Sequence, residues 1–164
     1  SMTPGSYVGG RCFYTTNVSV KRTLLMKGGL FDESFPHASQ EDLEVGHRLE
    51  TMGMRLFYEP GILGYHWHFL SVEAIIRRTY LHGYSAIAYW ERVPLRGGVI
   101  KKMVRPVLAA LVRATSIQWL WKKGISACQR SEGSPALWLP VLTLSYWVGY
   151  SDAAKKRPVR TLES

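Results

Sequence analysis

The charges of this chain are segregated, and that segregation limits what it can build. Residues 1–92 carry nine basic and nine acidic side chains, while residues 93–164 carry twelve basic and three acidic ones. The whole formal charge of +9 therefore belongs to the second stretch. A neutral stretch with its own core, followed by a basic stretch that faces solvent or an anionic partner, accounts for such a split. The 164 residues suffice for a core without disulfide staples, and a hydrophobic fraction of 46% excludes a disordered chain. Two cysteines, Cys12 and Cys128, are too few for a disulfide framework or a cysteine zinc site and fit a reducing compartment.

Residues 1–10 have neither a basic n-region nor an apolar h-region, so no signal peptide is read there. Ser1 before Met2 reads as the remnant of a cleaved tag. The longest apolar run, residues 136–150, contains Pro140 and falls short of the ~20 residues that a spanning helix needs. It reads as a buried or interfacial helix.

Periodicity and punctuation predict a short strand near residues 11–20, a helix over 21–27 stopped by Gly28-Gly29, and a loop over 30–40. A helix follows over 41–52, with Ser39 as its cap, acids in its first turn, Gly53 after its end, and Leu43, Leu49 and Met52 on one face. Strands are predicted over 54–58 and 62–68, on either side of Glu59-Pro60-Gly61. Ser71 is expected to cap a helix over 72–92, with Gly83 as its weak point. Residues 93–98, with a proline and two glycines, mark the boundary between two regions, residues 1–92 and residues 93–164. Beyond it, residues 105–123 form an amphipathic pattern. Val104, Val107, Leu108 and Leu111 lie on one side, and Lys101, Lys102, Arg105 and Arg113 on the other; Pro106 fits only in a first turn. A polar connector over 124–135, an apolar helix over 136–150 and a basic tail over 155–160 complete the chain.

Three constellations could carry chemistry. Glu41, Asp42 and Glu44 crowd one helix start, where a carboxylate can act as a general base or simply complement the helix dipole. His66 and His68 point to one face if residues 62–68 form a strand. Such a pair can hold a divalent metal or make ordinary hydrogen bonds. Arg77 and Arg78, with Tyr80, suit phosphate oxygens or a solvated helix face. No phosphate loop, nucleophile elbow or Ser-His-Asp arrangement occurs.

Several segments then fall into a familiar order. Asn17-Val18-Ser19-Val20-Lys21-Arg22 is followed by Gly28-Gly29-Leu30-Phe31-Asp32-Glu33, then by Glu41-Asp42-Leu43-Glu44, Arg48-Leu49, Gly53, Tyr58-Glu59-Pro60 and His66-Trp67-His68. Over about residues 11–92 this resembles the C-terminal half of the catalytic domain of family-2 glycosyltransferases with the GT-A fold. The resemblance implies an α/β chain: a partial GT-A fold without its N-terminal nucleotide-binding half, followed by amphipathic helices. It implies inverting, metal-dependent transfer of a sugar from a nucleotide-sugar donor to a saccharide or lipid-linked acceptor. Asp42 would be the catalytic base and Glu41 its neighbour, with Asp32 and Glu33 near the acceptor or sugar. Arg77 or Arg78 would pair with the diphosphate, and His66 or His68 would complete a Mg or Mn site, a metal expected only together with the missing donor half. No Asp-x-Asp occurs, so the donor half is missing and the isolated chain is not expected to transfer sugar alone. An exposed sheet edge would favour pairing with a second copy or with a missing half.

The basic region, with Trp119, Trp121, Trp138 and Trp147, is expected to meet an anionic membrane surface from the cytoplasmic side, or else to pack with a solvated basic face. A non-catalytic membrane- or partner-binding module of the same fold is the alternative function. Nucleic acid is disfavoured, because no known binding motif accompanies the basic residues.

Overall fold

The computed structural model describes residues 3–94, 98–113, 115–130 and 135–160, excepting the side chains of residues 98–103, 115–116 and 135–137. Some of the expected boundary and connector, and the side chains of Lys101 and Lys102, lie outside the described residues. Two compact units divide at His68 and Phe69. The sequence division at residue 92/93 follows charge; the structural one follows contacts and assigns the helix over 72–92 to the second unit.

In the first unit, β1 (Tyr7–Val8) pairs antiparallel with β2 (Leu56–Phe57), Tyr7 opposite Phe57 and Val8 opposite Leu56. A 3-10 turn at Gly10–Cys12 follows β1, and the helices are α1 (Arg22–Lys27) and α2 (Glu41–Thr51). Phe13, Val45 and Leu49 form the core, joined by Val18, Val20, Leu24, Leu25, Met54 and Leu56. The buried pair on α2 is Val45 and Leu49, one turn apart, whereas Met52, expected on that face, is exposed. Gly10 and Gly46 let the 3-10 turn lie against α2, because a Cβ on either would strike the other's backbone. Ser39 does not cap α2; Gln40 holds that position in the left-handed region (φ 71°) without a side-chain cap bond.

The turn after α1 is built as the Gly-Gly pair foretells. Gly29 takes φ +87°, and the Leu30 amide donates back to the Leu25 carbonyl at 3.2 Å. Arg48 of α2 closes it. Its guanidinium donates to the carbonyl oxygens of Gly28 and Leu30, and to both carboxylate oxygens of Glu44 at 3.0 and 2.9 Å. The Glu44 bond, foremost, holds Arg48's proton above its ordinary range.

The second unit is helical: α3 (Val72–Arg92), α4 (Gly98–Leu111), α5 (Thr115–Arg130) and α6 (Pro135–Ala154). The Ser71 hydroxyl caps α3, accepting from the Ala74 amide at 3.1 Å. α3 packs along α6. One cluster joins Tyr80, Val112, Trp121 and Val148, and another joins Ile76, Cys128 and Val141. The Trp121 indole donates to the Ser145 hydroxyl at 2.9 Å, which satisfies both in the interior. The predicted single helix over 105–123 is two helices parted after Leu111, and Pro106 lies deep in α4 rather than in a first turn.

The expected partial GT-A α/β fold is therefore not what the chain forms. Among the described residues the sheet is two strands of two residues each, and the rest of the regular structure is helical. A nucleotide-binding α/β fold needs a broad sheet whose strand ends form a crevice. The strand expected near 11–20 is a 3-10 turn followed by irregular chain, because the Gly10–Gly46 approach pins it there. The strand expected over 62–68 joins no ladder.

Candidate functional site

The acidic cluster at the start of α2 is the densest group of ionisable residues in the first unit. Asp42 is half-buried. One carboxylate oxygen accepts from the Leu43 amide at 2.8 Å and the other from the Thr15 amide at 3.4 Å. It thus ties the chain after the 3-10 turn to the helix start. Glu41 is also half-buried, and its Oε2 is shielded from solvent without a hydrogen-bond partner in the structure. Burial, chiefly, pushes its carboxyl above the ordinary value near 4.5; its own backbone amide pulls it down, and the Asp42 charge adds to the rise. Glu44 is taken up by Arg48.

The sign of the Glu41 shift sets a pH dependence. A carboxyl that holds its proton more tightly when folded opposes folding once the unfolded group has ionised, so the penalty is absent below about pH 4.5 and grows as pH rises. Glu41→Gln is expected to stabilise the protein at pH 7 by about 0.5 kcal/mol, a part-exposed group being screened by solvent, and by nothing at pH 4. Urea midpoints at the two pH values measure this. An equal gain at both would mean that charge is not the cause.

The remaining candidates are dispersed. Asp32 accepts from the Ser34 amide at 2.9 Å in a local turn, and Glu33 is exposed. His66 and His68 lie with ring centroids 5.5 Å apart, edge to face, on an exposed segment. Arg77 and Arg78 are exposed on α3, in the second unit. An open cleft of about 450 Å³ lies in the first unit, with Val8, Tyr14, Asn17, Val18, Leu56 and Ile62 on its walls.

In the second unit, exposed apolar and cationic side chains are interleaved. Val104, Val107 and Leu111 are exposed on α4, and Trp119 and Leu120 on α5, next to exposed Lys122 and Lys123. The Lys123 ammonium lies 5.7 Å from the centre of the Trp119 ring, and the Arg105 guanidinium 4.1 Å from that of Trp90. The basic tail folds back on α6 through its arginines. Arg160 grips the buried Asp152 carboxylate at 2.6 and 2.9 Å, and Arg157 stands 3.8 Å from it. The sequence marks Arg160 only as one charge in a run; its partner Asp152 is the one acid of the described residues of α6.

Comparison with known proteins yields one local likeness. The chain is 41% identical over 56 residues to a hyaluronan synthase from Pasteurella multocida, which is 34% of this chain and 6% of that protein. The chain thus matches a small fraction of that relative's length. No protein-family model and no solved structure matches.

The reading as a family-2 glycosyltransferase is overturned by these findings. Such transfer needs a sheet that carries the nucleotide, and the described residues have none. Among the described residues no group of three or more His, Cys, Asp or Glu is placed to hold a metal. No described helix is long and apolar enough to cross a membrane. The assignments as a transferase enzyme, as a GT-A fold, as a metal-dependent catalyst at a membrane, and as a module of that same fold are corrected accordingly.

Proposed function

We propose that the second unit is a peripheral binding unit that lies on an anionic lipid surface, apolar side chains in the headgroup region and cations against the phosphates. The observation that carries this reading is the outward placement of Val104, Val107 and Leu111 on α4. Positions i, i+3 and i+7 share one helix face, and here that face is exposed. A helix that packs only within its own unit turns such a stripe inward. Residues 69–164 hold fifteen basic and five acidic side chains, a surplus that an anionic leaflet would attract. Trp119 beside Lys122 and Lys123 is the pairing of ring and cation that suits the headgroup level. The cytoplasmic face of a membrane presents such a leaflet.

The test is co-sedimentation with vesicles. Vesicles containing phosphatidylserine are expected to pellet the protein at low salt and progressively less as salt rises, while phosphatidylcholine vesicles leave it in solution. Val107→Asp with Leu111→Asp is expected to weaken binding at least about tenfold, through lost burial and added repulsion. No pelleting on anionic vesicles at low salt would sink the reading.

A second reading has its own support, the likeness to a hyaluronan synthase: the same cations would hold an acidic polysaccharide. The two separate cleanly in one comparison. A polysaccharide such as hyaluronan would be lost on Lys122→Glu with Lys123→Glu and kept on Val107→Ser with Leu111→Ser. A lipid surface would be weakened by both.

A further inference from the structure

Residues 157–160 sit in a socket that the helices of the second unit build without them. α6 ends at Ala154, and the chain reverses through Lys156 (φ 53°), with the Arg157 amide donating back to the Asp152 carbonyl at 2.9 Å. The Tyr84 hydroxyl of α3 donates to the Arg157 carbonyl at 2.6 Å, Val159 packs on the Tyr80–Trp121–Val148 cluster, and the Arg160 amide donates to the Tyr80 oxygen at 3.2 Å. All three guanidinium nitrogens of Arg160 are met. Nε and one Nη donate to the two oxygens of Asp152 at 2.6 and 2.9 Å, and the other Nη donates to Gln118 Oε1 at 2.8 Å. The Trp121 ring centre lies 5.8 Å from the same guanidinium. The hosts are held by bonds of their own. Gln118 donates from Nε2 to the Val112 carbonyl at 2.7 Å, which turns Oε1 toward the arginine. Trp121 donates to Ser145, and the Tyr80 hydroxyl donates to the buried Asp152 carboxylate at 3.1 Å. The tail itself buries little apolar surface, since Val159 is half-buried and Pro158 exposed.

We infer that this socket is a binding site for an arginyl peptide, filled here by the chain's own residues 157–160 and open to the same segment from outside when the tail is withdrawn. Three features distinguish it from an ion pair that merely ties down a chain end. The host side chains come from α3, α5 and α6 and are preorganised by bonds outside the tail, so the socket persists when the tail lifts. Its acceptors match a planar fork, with two carboxylate oxygens side by side and a third acceptor at the far nitrogen, and an ammonium cannot fill all three. The backbone is read as well, by Tyr84 at the Arg157 carbonyl and by Tyr80 at the Arg160 amide, so the ligand is a peptide with an apolar residue before its arginine. A segment held by a polar grip with little apolar burial lifts as a local unit. Lifting strands the buried Asp152 carboxylate, which draws a replacement cation. In cis the tail competes at an effective concentration on the order of millimolar, so it keeps the site shut against dilute peptide. This inference is independent of lipid binding by the second unit.

Full-length Arg160→Ala tests the socket, with propylguanidinium as the probe. At about 1–20 mM, propylguanidinium is expected to raise the urea midpoint of this variant saturably and to leave the wild type unmoved. Propylammonium at equal ionic strength should act at least about tenfold more weakly. Arg160→Ala with Asp152→Asn should not respond. Full-length Val159→Asp with Arg160→Ala removes both side-chain anchors of the tail and tests the peptide. A fluorescent peptide copying residues 157–160 should bind this variant at least about 100-fold more tightly than the wild type, where the tail competes. The same peptide with its last arginine changed to lysine should bind at least about tenfold more weakly. Should either variant lose helix content by circular dichroism, Arg160→Gln in place of alanine keeps one donor on Asp152 and carries the same titrations. The inference is overturned if the two cations act alike, if Asp152→Asn leaves the response intact, or if the peptide binds variant and wild type equally or binds neither.

Discussion

Arg160→Ala is expected to destabilise the second unit by about 3 kcal/mol, the lower end of what breaking a buried ion pair costs. Asp152 is 1% exposed near the end of α6. Its carboxylate accepts a two-pronged grip from Arg160, at 2.6 and 2.9 Å, and one bond from the Tyr80 hydroxyl at 3.1 Å. Arg160 also donates to Gln118 Oε1 at 2.8 Å, and its amide donates to the Tyr80 oxygen at 3.2 Å. Burial, first, and then the neighbouring Asp152 charge push the Tyr80 hydroxyl up to about 12, so it stays a donor across the working pH range. Without the guanidinium, the buried carboxylate keeps, among the described residues, that hydroxyl and Arg157 at 3.8 Å. Arg160→Lys should cost less, because one ammonium keeps the charge but not the fork. In a double-mutant cycle with Asp152→Asn, the coupling should be at least about 2 kcal/mol. Urea unfolding followed by tryptophan fluorescence reads this directly, since Trp121 lies 5.8 Å from the Arg160 guanidinium. A loss below about 0.5 kcal/mol, the ordinary value of a surface pair, would show that the grip is decorative.

What the sequence shows of this fold is what short-range physics decides. α3 is read with both ends correct, because Ser71, Glu73 in the first turn and the apolar spacing act within a few residues of one another. α2 is read nearly as well, apart from its cap. The errors are non-local. Residues 11–20 look strand-like, but the close approach of Gly10 to Gly46, thirty-six positions away, settles their path. Residues 62–68 alternate correctly, yet alternation supplies one face and not the neighbouring strand. The turn at Val112 and Arg113 carries no Pro or Gly to announce it. Gly124 and Pro106, read as a helix end and a helix start, both lie inside helices.

The ordered motifs of the glycosyltransferase resemblance fail for a related reason. Several of them have complete local uses. Gly28-Gly29 makes the turn after α1, Arg48 closes that turn through the Gly28 and Leu30 carbonyls, and Glu44 orients Arg48. Asp42 ties the chain at Thr15 to α2. A string of such residues in order is therefore satisfied by a helix–turn–helix hydrogen-bond scheme, without the sheet that the resemblance implies. Of the candidate site, Glu41 and Asp42 both lie in the first turn of α2. Arg77 and Arg78 fall in the other unit, and the histidines lie on the exposed segment.

A methyl group on either Gly83 or Gly149 is expected to cost about 3 kcal/mol, the upper end for overpacking a core. The two glycines form the crossing of α3 and α6. A Cβ on Gly83 would run into the Tyr146 carbonyl, and one on Gly149 into the Tyr80 carbonyl. Both obstacles are backbone, so neither can rotate aside; the helices must separate. The Tyr80–Trp121–Val148 cluster and the Asp152 network would be strained with them. The helix propensity of alanine works in the opposite direction by about 1 kcal/mol, so the sign of the result decides between local preference and packing. Gly124→Ala gives the scale. Its Cβ would meet a methyl of Val141 at 2.7 Å, a side-chain atom that can give way, and a loss of about 1 kcal/mol is expected there. Because Gly83 and Gly149 share one crossing, Gly83→Ala with Gly149→Ala should cost less than the two losses added, since one separation relieves both clashes. If alanine at 83 or 149 were neutral or stabilising in urea unfolding, α3 and α6 would not approach as closely as this fold requires.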